Sequence, residues 1–239
     1  MGSGLFAFAK PRNDGAPLCR APLQARRLRG PEAGHKRRAH ANHRVTPMQS
    51  LAISTLTICG IEELPAHSLR RVTHVLSVLD PDWPEIDAFG SYGEHTRVTL
   101  RFHDIIDPAP GKIPPEPEHV AQILRFGEGL REGVGERVEG HLLVHCHMGI
   151  SRSTAAMLML MAQNDADASE DALFERLRAV RPQAWPNSVM IGFADEQLGR
   201  GGRLTEGLRR HYGHQLKVQP QYTDWMTRLG RGRELAMAV

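Results

Sequence analysis

The feature that most constrains this chain is a short apolar run, Leu142-Leu143-Val144, that passes through His145-Cys146-His147-Met148-Gly149-Ile150-Ser151-Arg152-Ser153 and enters Thr154-Ala155-Ala156-Met157-Leu158-Met159-Leu160-Met161. A continuous apolar run of this length is a strand buried on both faces, which requires a sheet covered by helices. The apolar stretch that follows is a helix hidden on every side. A tight loop joining a two-sided buried strand to a buried helix implies an α/β domain with a mostly parallel central sheet flanked by helices.

The remaining elements fit that class. Leu51 to Ile58 is β-branched and reads as a strand, His74 to Leu79 as a short apolar strand, and Arg97 to Phe102 as an alternating one. Short helical patterns are expected over Glu62–Arg71, Pro117–Arg131, Ser153–Gln163, Ala168–Val180, Asn187–Leu198 and Leu204–His211. Between Arg97–Phe102 and Pro117, the stretch His103 to Pro115 is rich in proline and reads as a long loop of the kind that carries function.

The junction itself is chemically pointed. Peptide N–H groups of a loop that opens a helix can curl around an anion, and the helix dipole adds positive potential there. That field favours the reactive thiolate form of a cysteine placed at Cys146. Arg152 offers a planar fork that matches phosphoryl oxygens, and Gly149 lets the backbone approach closely or take a positive φ. The His-Cys-His adjacency is a weak metal signal without distant ligands, so no metal or other cofactor is expected.

His-Cys-x-x-Gly-x-x-Arg-Ser, matched from His145 to Ser153, resembles the signature loop of the protein tyrosine phosphatase superfamily. The chain's size is similar to the compact dual-specificity branch. Thr57-Ile58-Cys59-Gly60, His74–Leu79, Arg101-Phe102-His103-Asp104 and Arg181-Pro182-Gln183-Ala184-Trp185-Pro186-Asn187 further resemble a bacterial group of that branch, over roughly residues 51–212. The resemblance implies a cysteine-dependent phosphatase that hydrolyses phosphate monoesters, foremost phosphotyrosine and also phosphoserine or phosphothreonine, through a cysteinyl-phosphate intermediate. It assigns Cys146 as nucleophile, Arg152 as phosphate clamp and Ser153 as the hydroxyl that assists the sulfur. His147, Met148, Gly149, Ile150, Ser151 and Arg152 form the phosphate cradle, His145 supports it, and Asp104 is the general acid with Asp107 three residues on as its rival. The alternatives are a phosphoinositide or other small phosphate-ester phosphatase, and a non-catalytic phosphate-binding module.

Charge is unevenly divided. Residues 1–47 carry ten Lys or Arg against two acids, a net +8; with +3 for the whole chain, the remainder from Met48 is −5. Basicity therefore belongs to the leader and is no argument for nucleic acid as a partner. That leader is rich in Pro, Gly, Ala and Arg without apolar period and reads as a disordered extension, with the phosphatase-like domain over 48–215 and a C-terminal tail over 216–239. Three cysteines, Cys19, Cys59 and Cys146, make no disulfide framework and suit a reducing, cytoplasmic setting. No stretch suggests membrane insertion, and the expected partner is a phosphorylated protein or small phosphate ester.

Overall fold

Four parallel strands form the sheet, in the order β1-β4-β2-β3, in a computed structural model that describes residues 53–132 and 140–239. The strands are β1 (Ile53–Cys59), β2 (His74–Leu79), β3 (Thr96–Arg101) and β4 (Gly140–His145). The helices are α1 (Pro117–Glu132), α2 (Arg152–Asn164), α3 (Glu170–Val180), α4 (Ser188–Gln197), α5 (Arg203–Val218), α6 (Tyr222–Arg228) and α7 (Gly232–Met237). Two 3-10 turns, Ile61–His67 and Asp87–Ser91, complete the described residues. The leader over 1–47, with Cys19, and the boundary at Met48 lie outside them.

Strand β4 is central, and its apolar run is explained by period-two alternation between two cores. Leu142 and Val144 face the large core beneath α1 and α2, whereas Leu143 faces a smaller one with Cys59, Leu64, Val75 and Phe89 under the 3-10 turns. Helix α2 is buried from Arg152 to Ala162 because helices and sheet surround it, as its unbroken apolar sequence requires. Each fully buried Leu or Met there contributes about 1.5–3 kcal/mol of burial free energy.

Helix starts follow local chemistry. The Ser169 hydroxyl accepts from the Ala172 N–H to open α3, and the Asn187 side chain accepts from Val189 and Met190 N–H to open α4. Helix α5 runs on to Val218, well past the expected end near His211, because Leu208 and Tyr212 on its inner face are buried in the large core. The last segment is two short helices that place Tyr222 and Met226 in that same core.

The register decides where chemistry can gather. Cys59 pairs with His145 across β1–β4, and Ser77 pairs with His145 across β2–β4. The carboxyl ends of the strands are thus level, and the segments after all four open on one edge, where parallel α/β sheets place their ligands.

Candidate active site

The loop 146–151 leaves β4 at that edge and turns into α2. The carbonyls of His147 to Ile150 are each tied to a neighbouring segment. The His147 oxygen accepts from the Ile61 N–H (3.0 Å) and the Ile150 oxygen from the Trp185 N–H (2.8 Å). Arg181 donates through Nε to the Gly149 oxygen (2.9 Å) and through Nη2 to the Met148 oxygen (3.1 Å), while its guanidinium forms a two-point pair with Glu63 at 3.0 and 2.8 Å. Burial alone would raise the Glu63 carboxyl, but the Arg181 and Gly60 hydrogen bonds outweigh it and hold it below the usual range. With those carbonyls engaged, the N–H groups of His147 to Ser151 find no acceptor among the described residues. They are left as free donors at the start of α2.

Two glycines make that shape possible. Gly149 has φ +69°, and a Cβ there would lie 2.7 Å from both the Cys59 oxygen and the Gly60 nitrogen. A Cβ on Gly60 would lie 2.9 Å from the His147 oxygen. The Cys59-Gly60 corner is therefore the back wall of the loop. Burial pushes the Cys59 thiol up to about 12, so it stays an inert protonated group.

Cys146, directly after β4, is 2% exposed, with Sγ 3.1 Å from the Ser153 hydroxyl. Arg152, also 2% exposed, donates through Nη1 to the Asp80 carboxylate (2.7 Å) and to the Phe102 carbonyl. Its Nε is buried with no partner among the described residues. A buried guanidinium N–H without an acceptor is costly, and a ligand oxygen at the mouth of the loop would satisfy it.

His145 meets Ser77 through Nε2 at 2.7 Å, and its Nδ1 has no partner among the described residues. Burial drives its imidazole down to about 4, so it is neutral near pH 7 and touches the strand neighbour rather than the sulfur. The His147 ring turns to one side, where its Nε2 accepts from the Asp80 N–H (3.3 Å) and its face tilts against Trp83 at 4.2 Å. Its titration is lowered by burial and then by Arg152. Met148 is exposed at the rim.

The two candidate acids part company. Asp104 Oδ1 accepts from the Ser151 hydroxyl (2.7 Å), Asn187 Nδ2 (2.9 Å) and Arg231 Nη1 (3.2 Å), with its side chain 27% exposed. Burial would raise this carboxyl, but Arg231, Arg152 and the two neutral donors overcome that and hold it below the usual range. Asp107 is 57% exposed and pairs at the surface with Arg233 at 3.2 Å. Asp104 is thus joined to the loop through Ser151, and Asp107 is not part of that network.

Three participants were not foreseen as site residues. Asp80 directly follows β2, and its position at the carboxyl edge of a parallel strand was the available signal. Arg181 was visible only as part of a resembling segment. Arg231 left no local trace, since nothing in a polar C-terminal stretch points to a partner 127 residues upstream. Among the described residues no cluster of three or more His, Cys, Asp or Glu is arranged to hold a metal, and no helix is long and apolar enough to cross a membrane.

No protein-family model matches the chain. A stretch of 157 residues, 65% of this chain, is 32% identical to human "Protein phosphatase Slingshot homolog 3". The chain is similar to a protein phosphatase. It spans about a fifth of that relative's length, 20%. Similar solved structures include the Yvh1 phosphatase domain from Chaetomium thermophilum, at 24% identity over 62% of this chain and 93% of that one, TM-score 0.42. Human DUSP28 is another, at 16% identity over 64% and 94%, TM-score 0.45.

Proposed function

We propose that the chain is a cysteine-dependent phosphatase acting on phosphate monoesters, with phosphotyrosine in proteins as the leading substrate and phosphoserine or phosphothreonine as further ones. The observation that carries this is the conjunction of a buried sulfur beneath unpaired loop N–H groups with the unpaired buried Nε of Arg152 beside it. Three phosphoryl oxygens would meet those donors, and the phosphorus would face Sγ.

In the first step the Cys146 sulfur attacks phosphorus, an S–P bond forms, and the P–O bond to the leaving group breaks. Asp104, protonated once a phosphate dianion offsets Arg152, gives its proton to the leaving oxygen. In the second, water attacks the cysteinyl phosphate, Asp104 takes the water proton, and the S–P bond breaks to release phosphate. The Ser153 hydroxyl at 3.1 Å donates to the departing sulfur. Arg152 and the loop N–H groups stabilise the equatorial charge in both steps and are in place beforehand, which is the main source of rate.

The likeness to Slingshot supports the protein-phosphatase reading, while the bacterial grouping rests on the motif resemblance alone. A reducing compartment such as the cytoplasm suits two buried free thiols, Cys59 and Cys146. The test is Cys146→Ser assayed on phosphotyrosine peptides and an activated aryl phosphate, with binding of inorganic phosphate measured in parallel. Turnover is expected to vanish while phosphate binding persists, because the donors remain. Hydrolysis near the wild-type rate would overturn the mechanism, and a wild-type protein that binds phosphate but hydrolyses nothing in the panel would leave a binding module.

A further inference from the structure

Asp104 is gripped on one oxygen only. Three donors converge on Oδ1, from the loop (Ser151), the start of α4 (Asn187) and the α6–α7 connection (Arg231), and Oδ2 accepts from none of the described residues. Arg231 is itself tightly built in. Its Nη1 also donates to the Ser151 hydroxyl at 2.7 Å, and its Nε and Nη2 each meet Glu234 at 2.8 Å. Glu234 is wholly buried and accepts from Trp185 Nε1 (2.6 Å) and the Ser188 N–H (2.8 Å).

Burying the Arg231–Glu234 pair costs more than burying apolar side chains of the same volume. The C-terminal helices already have apolar anchors in Tyr222 and Met226. A Glu234–Arg231 pair turned toward Asp104 and Ser151 is therefore poorly explained as an attachment device.

We propose that Arg231 is a positioning residue for protonation of the leaving group: it fixes Oδ1 of Asp104 as the acceptor oxygen, so that the acidic proton resides on Oδ2. This rests on the reading of Asp104 as general acid. A hydroxyl on Oδ1 would set its hydrogen against three others, so the geometry leaves one site for the proton. Glu234 offsets part of the Arg231 charge, which by itself would favour the carboxylate. The other charged or titratable groups around Asp104 are Arg152 from α2, His147 from the loop and Tyr212 from α5. Of these, Arg152 has its charge met by the bound phosphate. That neutralisation moves the carboxyl upward only when substrate is present.

The experiment compares wild type, R231M/E234Q, R231K and Asp104→Asn on phenyl phosphate and on a nitro-substituted aryl phosphate, with kcat and KM followed across pH. The double variant removes the ion pair without changing net charge. It is expected to lose about 10–100-fold in kcat on phenyl phosphate, with the alkaline limb moved to higher pH, and to lose much less on the activated ester. R231K keeps the charge without the fork and is expected to lose less on phenyl phosphate. In an Asp104→Asn background the double variant should add no further leaving-group-dependent loss. Equal losses on both esters, or an unmoved alkaline limb, overturn the inference. If R231M/E234Q does not fold, R231K decides alone, and wild-type behaviour on phenyl phosphate overturns it. Asp104→Asn with no leaving-group dependence would remove the acid assignment and this inference together. Asp104→Asn that shows the dependence, beside an Arg231 variant that does not, removes this inference only.

Discussion

The fit between the Cys59-Gly60 corner and Gly149 makes a graded prediction. Ala at 149 meets two separate penalties. The left-handed backbone at φ +69° costs an L-residue about 1–2 kcal/mol. The new methyl would sit 2.7 Å from the Cys59 oxygen and the Gly60 nitrogen, and rigid backbone cannot yield as a flexible side chain can, so overpacking adds about 1–3 kcal/mol. The two together come to about 2–5 kcal/mol, and for a domain of this size that lowers the thermal midpoint by about 5–15 °C. Gly111→Ala isolates the first penalty, since φ is +70° there and nothing lies within 4 Å. Gly60→Ala isolates the second, with φ −88° and a methyl 2.9 Å from the His147 oxygen. Calorimetry on the three variants should rank Gly149→Ala as most damaging, and titration with inorganic phosphate should show binding lost at 149 and kept at 111. The loop is expected to relieve the clash by displacing its N–H groups. Should Gly149→Ala match Gly111→Ala in midpoint and still bind phosphate, the claim that the corner shapes the cradle is refuted.

Acid should weaken the fold through two histidines. Burial holds His145 and His211 down to about 4, against an unfolded value near 6.5, so between those limits the unfolded chain binds more protons and stability falls as pH drops. At pH 5 each costs about 2 kcal/mol by linkage; a urea midpoint flat from pH 6.5 to 4.5 would contradict this, and His211→Gln should make the slope shallower. Removing residues 1–47 is expected to leave the thermal midpoint and aryl phosphate hydrolysis unchanged, as proposed for an extension without core-forming pattern. A large fall in either would show that the segment packs on the domain.

What was legible in the sequence follows a physical division. Strand β4, the loop and α2 are adjacent in the chain, and each is specified by its own neighbours: alternation between two cores, glycine at a positive φ, an apolar run without a polar face. Strand β2 was placed at its observed ends because Pro81 and Pro84 close the run that His74 opens. The sheet order was not legible. Inserting β4 between β1 and β2 is a long-range pairing, and no local pattern distinguishes it from sequential order. The carboxylates divide the same way. Asp104 and Asp107 both follow a strand in a proline-rich loop, and only the donors from Ser151, Asn187 and Arg231, remote in sequence, tell them apart.

Arg152 shows why such remote partners matter to chemistry. A long flexible cation at a helix start would ordinarily sample many rotamers and pay for ordering when an anion arrives. Here one end is already held, with Nη1 against the Asp80 carboxylate at 2.7 Å and against the Phe102 carbonyl, both at the carboxyl edges of neighbouring strands. The guanidinium plane is then fixed before any ligand binds, and the unpaired Nε is on the part left over. Asp80 orients the fork without neutralising all of its donors. In the proposed reaction, preorganisation of this kind would convert the Arg152 charge into stabilisation of the transition state, because no rearrangement remains to oppose it.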